Sequence, residues 1–277
     1  MKSIIVMQTD FGIGGGSAMR GTCRKVDPEL DIYEVNHQVE KFNVKEASRY
    51  LYHHVSYWPE GTVFVSVVDP GVGTARRASV AKLKNGSYVV TPDNGSLTYL
   101  LDDPGVEAIR VIDETRNRLK GTENVSIFHG RDLFAYCGAK LAAGIIDFEG
   151  VGEEYPVSEI VRFEEPEYEV SGNHLKGYVT GMMKTFGNLE TNIPISELEK
   201  LNVKSGDILR VKLTSNEEAL YDSGMAYQPS FGYVEVGEEV LYNSSDGVVG
   251  IGINRDSFVN RYGIKNLDGL AVEIVKE

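Results

Sequence analysis

The sequence predicts an α/β domain built on a central, mostly parallel sheet, followed by a smaller β-rich domain. Three observations carry this. Through residues 1–163, short apolar runs alternate with segments of helical spacing, the pattern of strand–helix repeats. The run "TVFVSVVD" (62–69) is too uniformly apolar to leave one face in water, as in a parallel strand covered on both sides. Beyond Phe163 helical signals are scarce, and short strand-like runs are punctuated by Gly, Asn, Asp and Ser.

Element by element, "SIIVMQTD" (3–10) is a first strand, and "SAMRGTCRKV" (17–26) opens a helix after a run of glycines. "DIYEVN" (31–36) is strand-like, and the stretch 43–58 places Val44, Ala47, Leu51 and Val55 at helical spacing. "ASVAKL" and "SYVV" flank Asn85-Gly86 as a hairpin. "AIRVID" (108–113) and the amphipathic "RDLFAYCGAKLAAG" (131–144) continue the alternation. The acidic, aperiodic stretch 164–172, with Pro166, reads as a linker between a domain of residues 1–163 and a β-rich one of 173–277. In the latter, "LKGYVTGMM", "DILRVKL" and "GVVGIGIN" are strands and "PISELEKL" is the one clear helix.

With 42% hydrophobic and 25% charged residues, the composition is that of a folded globular chain. Twenty-eight basic against 41 acidic residues give a net charge of −13, which disfavours nucleic-acid partners, and there is no Lys/Arg-rich run. No stretch approaches the ~20 apolar residues of a membrane span, and the short apolar start is no signal peptide. Cys23 and Cys137, far apart in sequence, fit small core residues of a reduced, cytoplasmic protein.

Polar clusters fall where strands of the first domain should end: Thr9-Asp10-Phe11-Gly12, Asp69-Pro70-Gly71, Pro92-Asp93-Asn94-Gly95 and Phe128-His129-Gly130-Arg131-Asp132. Ligands of open α/β sheets bind beyond the carboxyl ends of strands, although Asp-Gly and Asp-Pro pairs also make turns. "GIGGGS" (12–17) lacks the final glycine of a dinucleotide loop and reads as a βα connection. Only His129 among the five histidines sits in a distinctive setting, and an Asp/Arg/His set can orient and polarise a water nucleophile. Either Arg76 or Arg77 would bring the fixed positive charge to Asp69.

These clusters, in this order, resemble the S-adenosylmethionine hydrolase family (the SAM hydroxide adenosyltransferases), relatives of fluorinase and chlorinase. The carrying segments are "TDFG" (9–12), "VVDPGVGTARRA" (67–78), "PDNG" (92–95), "FHGRD" (128–132), "FGNLETNI" (186–193) and "NSSDGVVGIGIN" (243–254), spread over essentially the whole chain. The resemblance implies a C-terminal β-barrel-like domain and a homotrimer whose sites lie between the N-terminal domain of one subunit and the C-terminal domain of its neighbour. It implies cofactor- and metal-free displacement of L-methionine from the 5′ carbon of S-adenosylmethionine by water or hydroxide, giving adenosine.

The family's water-handling residues correspond to Asp69, Arg76 and His129, with Arg76 preferred over Arg77 on spacing. Halogenating relatives do not hold this set. By the same resemblance Asp10 holds the ribose hydroxyls, Phe42 lines the ribose, and Asn188 and Phe186 lie on the adenine side. Phe231 is an aromatic near the adenine, and Ser245 contacts the methionine end. Two departures stand out: Lys184 lies near the position of an acidic residue that receives the substrate amino group, and Asp256-Ser257-Phe258 replaces a small-residue loop. They make altered substrate preference, or an S-adenosylmethionine- or adenosine-binding protein without turnover, the principal alternative. A metal-dependent nucleoside hydrolase is the other, but Asp10 stands alone where that chemistry needs clustered carboxylates.

Overall fold

The computed structural model describes residues 2–276. Its chain forms two compact units, Met1–Phe163 and Glu164–Glu277. Among the described residues, no helix is long and apolar enough to cross a membrane.

In the first unit the strands are β1 (Ile5–Thr9), β2 (Ile32–Asn36), β3 (Val63–Val67), β4 (Ala78–Leu83), β5 (Tyr88–Pro92), β6 (Val106–Val111) and β7 (Glu154–Tyr155). They make one sheet in the order β2-β1-β3-β5-β4-β6-β7. The helices are α1 (Ser17–Val26), α2 (Val44–Val55), α3 (Thr98–Asp102), α4 (Glu114–Asn117) and α5 (Ala135–Ala142), the last entered through a π-helical turn, Gly130–Phe134. α2 is capped by Asn43, whose side chain accepts from the Glu46 amide. It buries Ala47, Leu51 and Val55 of the expected stripe together with Ser48, while Val44, at the first position of the helix, is half-buried. Every residue of β3 is buried, as its unbroken apolar run predicts. α5 approaches the sheet closely because residue 138 is glycine: a Cβ there would stand 2.9 Å from Val65 Cγ2. Cys23 and Cys137 are both fully buried in the core, among Met7, Val65, Leu133 and Phe134.

The expectation of a mostly parallel sheet is corrected: the sheet is mixed. β2, β1, β3 and β5 run parallel, whereas β4, β6 and β7 enter antiparallel pairings. The cause is the hairpin itself. Gly86, at φ +82°, closes a tight turn in which Leu83 N–H donates to the Ser87 carbonyl at 2.8 Å, and so short a connection can only join antiparallel strands. Because β4 runs against β3 and β5, its first residue Ala78 pairs with Pro92, the last residue of β5. Residues 68–77 thus leave the sheet and re-enter it at the same rim.

The second unit contains β8 (Glu169–Ser171), β9 (His174–Met183), β10 (Asn188–Pro194), β11 (Ile208–Ser215), β12 (Glu218–Tyr227), β13 (Glu239–Asn243), β14 (Val248–Ile253) and β15 (Leu270–Val275), with α6 (Ile195–Lys200) and α7 (Phe258–Arg261). Seven strands close on themselves in the order β10-β14-β13-β12-β11-β15-β9, with β9 pairing back to β10, and β8 is a short addition outside β9. The stretch 164–172, read from sequence as a linker, therefore contains a strand. Inward residues alternate along the barrel strands, Leu209, Val211 and Leu213 on β11 and Leu270, Val272 and Ile274 on β15 all being buried.

Phe134 is fully buried at the junction of the π-turn and α5. Phe134→Ala is expected to destabilise the protein by about 3–5 kcal/mol in urea denaturation, the usual cost of emptying an aromatic core position.

Candidate functional site

β1, β3 and β5 are parallel, so Asp10, Asp69 and Asp93, each just past a strand end, come out at one rim of the sheet. Arg76 and Arg77, immediately before β4, come to this rim because β4 is reversed. Their side chains then part. Arg76 grips Asp69: Nε donates to both carboxylate oxygens at 3.0 Å and Nη2 to Oδ2 at 2.5 Å. Arg77 instead faces Glu159 at 2.6 Å and lies over the Tyr155 ring, 4.3 Å from its centre. The Asp69 and Arg76 side chains are only 5% and 10% exposed.

The same Arg76 Nη2 lies 3.0 Å from Nδ1 of His129, itself buried. Arginine has no acceptor, so Nδ1 must offer its lone pair. That assigns His129 as the neutral tautomer with its proton on Nε2. Burial pulls the His129 pKa down first, and the positive charges of Arg76 and Arg118 pull it further, against weaker opposition from Glu114 and Asp69. The neutral form required by the hydrogen bond is thus also the one favoured by its surroundings. The guanidinium in turn lies over Phe134, its carbon 5.2 Å from the ring centre.

The loops that carry these groups are stitched to one another. Gly73, at φ +76°, allows the 69–76 turn to meet the Ser126 carbonyl: a Cβ there would come within 2.9 Å of that oxygen. Asn94 Nδ2 donates to the Val68 carbonyl at 2.9 Å, holding the residue before Asp69. Phe11 packs on Gly130, where a Cβ would be 2.8 Å from the ring, and edge-on to Phe128. Arg118, which the sequence reading passed over, folds the segment before His129. It ion-pairs with Glu114 at 2.5 Å and donates to the carbonyls of Thr122 and Val125. The available signal was the i,i+4 spacing of Glu114 and Arg118. Asp93 has a different occupation from Asp69: it accepts from Tyr155 Oη at 3.0 Å and from the Val161 amide at 2.9 Å, tying down the chain's exit from this unit.

Of the expected substrate contacts, Asp10 and Phe42 are brought together. Asp10 Oδ2 accepts the Phe42 amide at 2.9 Å, and Phe42 holds φ at +67° and is 69% exposed. A non-glycine residue in the left-handed region with a solvent-facing ring is the kind of outlier found at ligand sites. In the second unit, Asn188 and Phe231 converge on Gly252. A Cβ at 252 would stand 2.8 Å from Asn188 Oδ1 and 2.8 Å from Phe231 Cε1, so the glycine is what admits both side chains. Phe231 packs on Tyr242 with ring centres 4.7 Å apart. Phe186 is exposed at the β9–β10 turn, which also carries Lys184, and Ser245 is exposed in the β13–β14 turn. Ser257, in the divergent loop, caps α7 and closes over Gly187, where a Cβ would be 1.9 Å from its hydroxyl.

Comparison with known proteins decides the family. The SAM hydroxide adenosyltransferase N-terminal domain model matches residues 5–152, and the C-terminal domain model of that family matches residues 184–271. The chain belongs to the SAM hydroxide adenosyltransferase family. It is 31% identical over 300 residues to a fluorinase of Nocardia brasiliensis, covering 99% of this chain and 97% of that protein. It is 32% identical over 216 residues to the (R)-S-adenosyl-L-methionine hydrolase of Methanocaldococcus jannaschii, covering 76% and 73%. Among solved structures, an uncharacterized conserved protein from Thermotoga maritima superposes with a TM-score of 0.87 at 33% identity, covering 98% of this chain and 100% of that one. Family membership therefore spans relatives named for two different nucleophiles.

If Arg76 controls His129 in this family member, an NMR titration of the imidazole will give a pKa below the ordinary histidine value. Arg76→Gln will move it upward, because a positive charge and an Nδ1-directed donor are both removed.

Proposed function

We propose that this protein hydrolyses S-adenosyl-L-methionine to adenosine and L-methionine, by attack of water on the 5′ carbon at the Asp69–Arg76–His129 cluster. The observation that carries the reading is the buried Asp69 carboxylate, bound in bidentate fashion by the same Arg76 that meets His129. A carboxylate accepts a hydrogen bond from water and can take its proton, whereas it repels a halide ion. Hydrolysis is thus favoured over halogenation, although relatives of both names are comparably similar to this chain.

The proposed chemistry follows from the groups present. A water donates one hydrogen to Asp69 while its oxygen accepts from His129 Nε2–H, the proton that the Arg76 contact leaves on that nitrogen. The two contacts fix the lone pair that attacks. The C5′–O bond forms as the C5′–S bond breaks, and the C–S electron pair stays on sulfur, which leaves as a neutral thioether. The water's proton passes to Asp69. The leaving group needs no Lewis acid, since the sulfonium already carries the positive charge that departure relieves. Asp10 holds the ribose hydroxyls beside Phe42. Phe186, Asn188 and Phe231 hold the adenine, and Ser245 the methionine end. A homotrimer is the expected working assembly.

The test is incubation of purified protein with S-adenosylmethionine, following adenosine and methionine by chromatography. The expected result is both products in equal amounts, with or without chelator. Binding without product would favour a sensor, and loss of turnover on chelation a metal enzyme. Asp69→Ala and His129→Ala should lower kcat by about 10²–10⁴-fold with little change in KM. Arg77→Lys should change little, since Arg77 faces Glu159 and Tyr155. The kcat/KM profile should lose activity as pH falls, with a midpoint below the ordinary histidine value of 6.5. Protonating His129 puts a hydrogen on Nδ1 against the Arg76 donor and adds a second positive charge beside it.

A further inference from the structure

The loop between β1 and α1 carries Asp10 yet contains Gly12, Gly14, Gly15 and Gly16, residues with little conformational preference of their own. Something must hold it. His37, just past the end of β2, is placed to do so. Its Nδ1 lies 2.8 Å from Oγ1 of Thr9, the fully buried residue preceding Asp10. Its carbonyl accepts the Gly12 amide at 2.7 Å, and the Phe11 amide donates to Thr9 Oγ1 at 3.2 Å. Asp10 is thereby flanked by groups that lead to His37, the Thr9 hydroxyl to its imidazole and the Gly12 amide to its main-chain carbonyl.

The other side of the ring is equally constrained. The His37 side chain is 9% exposed, and its Nε2 is buried without a hydrogen-bond partner among the described residues. The nearest anion is Glu34 Oε1 at 3.6 Å, and Glu34 is held by Arg20 at 2.5 Å. A Cβ at residue 16 would stand 2.1 Å from Nε2, so the ring occupies space that only glycine leaves. Burial pulls the His37 pKa down, against the opposing pull of Glu34. A neutral ring with its proton on Nε2, toward Glu34, leaves Nδ1 to accept the Thr9 hydroxyl proton, and frees the Thr9 oxygen to accept from Phe11.

We infer that His37 is a positioning residue for Asp10: through Thr9 and the Gly12 amide it locks the glycine-rich loop in the conformation that presents the Asp10 carboxylate. The inference rests on the reading of Asp10 as the ribose-holding residue, but its first consequence does not. The Phe11 amide proton should exchange slowly in the unliganded protein and much faster in His37→Leu, which keeps bulk and the main-chain carbonyl that holds Gly12 but loses the Nδ1 acceptor that orients the Thr9 hydroxyl. His37→Asn, whose Oδ1 can stand in for Nδ1, should restore protection. Thr9→Val, which exchanges the hydroxyl for a methyl group of similar size, should release Phe11 in a protein of unaltered fold. Calorimetric titration with adenosine should then show about tenfold weaker binding for His37→Leu and Thr9→Val, the effect of one lost hydrogen bond in a buried chain, and recovery in His37→Asn.

Unchanged amide protection in His37→Leu and Thr9→Val would overturn the lock itself. Lost protection with unchanged adenosine affinity would overturn its role in presenting Asp10. Absence of adenosine binding by the unsubstituted protein would instead sink the ribose reading, leaving the exchange measurements to decide the lock.

Discussion

The Arg76 guanidinium is the group on which the site depends. One planar cation grips the Asp69 carboxylate through Nε and Nη2 and turns the Nη2 edge toward His129 Nδ1. Because it can only donate, it dictates what its partners do: Asp69 is left with lone pairs for a water, and His129 is left with a proton on Nε2. A lysine could supply the charge but not the two directions. The aromatic face of Phe134 beneath the guanidinium ties this cation to the core of the domain.

Arg76 can reach Asp69 because the sheet is mixed. A parallel β4 would require residues 68–77 to cross to the opposite rim before re-entering the sheet, carrying Arg76 away from Asp69. The tight turn at Gly86 forbids that, since it joins β4 to β5 antiparallel. A turn seventeen residues earlier in the hairpin's logic, at Asp69–Arg76, and the turn at Gly86 therefore act together: one makes the clamp, the other sets the strand direction that keeps its two ends on one side. Gly73 and Gly130 complete the arrangement by letting Ser126 and Phe11 pack where a methyl group would intrude.

Much of this was legible in the sequence. The hairpin at Asn85-Gly86, the buried run of β3 and the α2 stripe all follow from local pattern, and the rim aspartates follow from where those strands end. The parallel character was overestimated because uniform burial of β3 says that both faces are covered, not which way its neighbours run. The strand within 164–172 was missed because three exposed residues at the edge of β9 leave no hydrophobic signature. By chemistry alone Arg76 and Arg77 are equivalent, and the resemblance prefers Arg76 on spacing; the side-chain directions put Arg76 on Asp69 and Arg77 on Glu159. Asp93 and Asp69 look alike as strand-end aspartates, yet Tyr155 and the Val161 amide claim the first, residues more than sixty positions away in the chain.

Turnover of S-adenosylmethionine in ¹⁸O-enriched water, read by mass spectrometry of the nucleoside, tests directly the proposal that a water held between Asp69 and His129 becomes the 5′ oxygen of the product. The expected result is adenosine carrying one solvent oxygen at the 5′ position, formed with methionine, and formed by Asp69→Asn about 10²–10⁴-fold more slowly. Unlabelled adenosine, a halogenated nucleoside in the presence of halide, or an undiminished rate of labelled product with Asp69→Asn would contradict it.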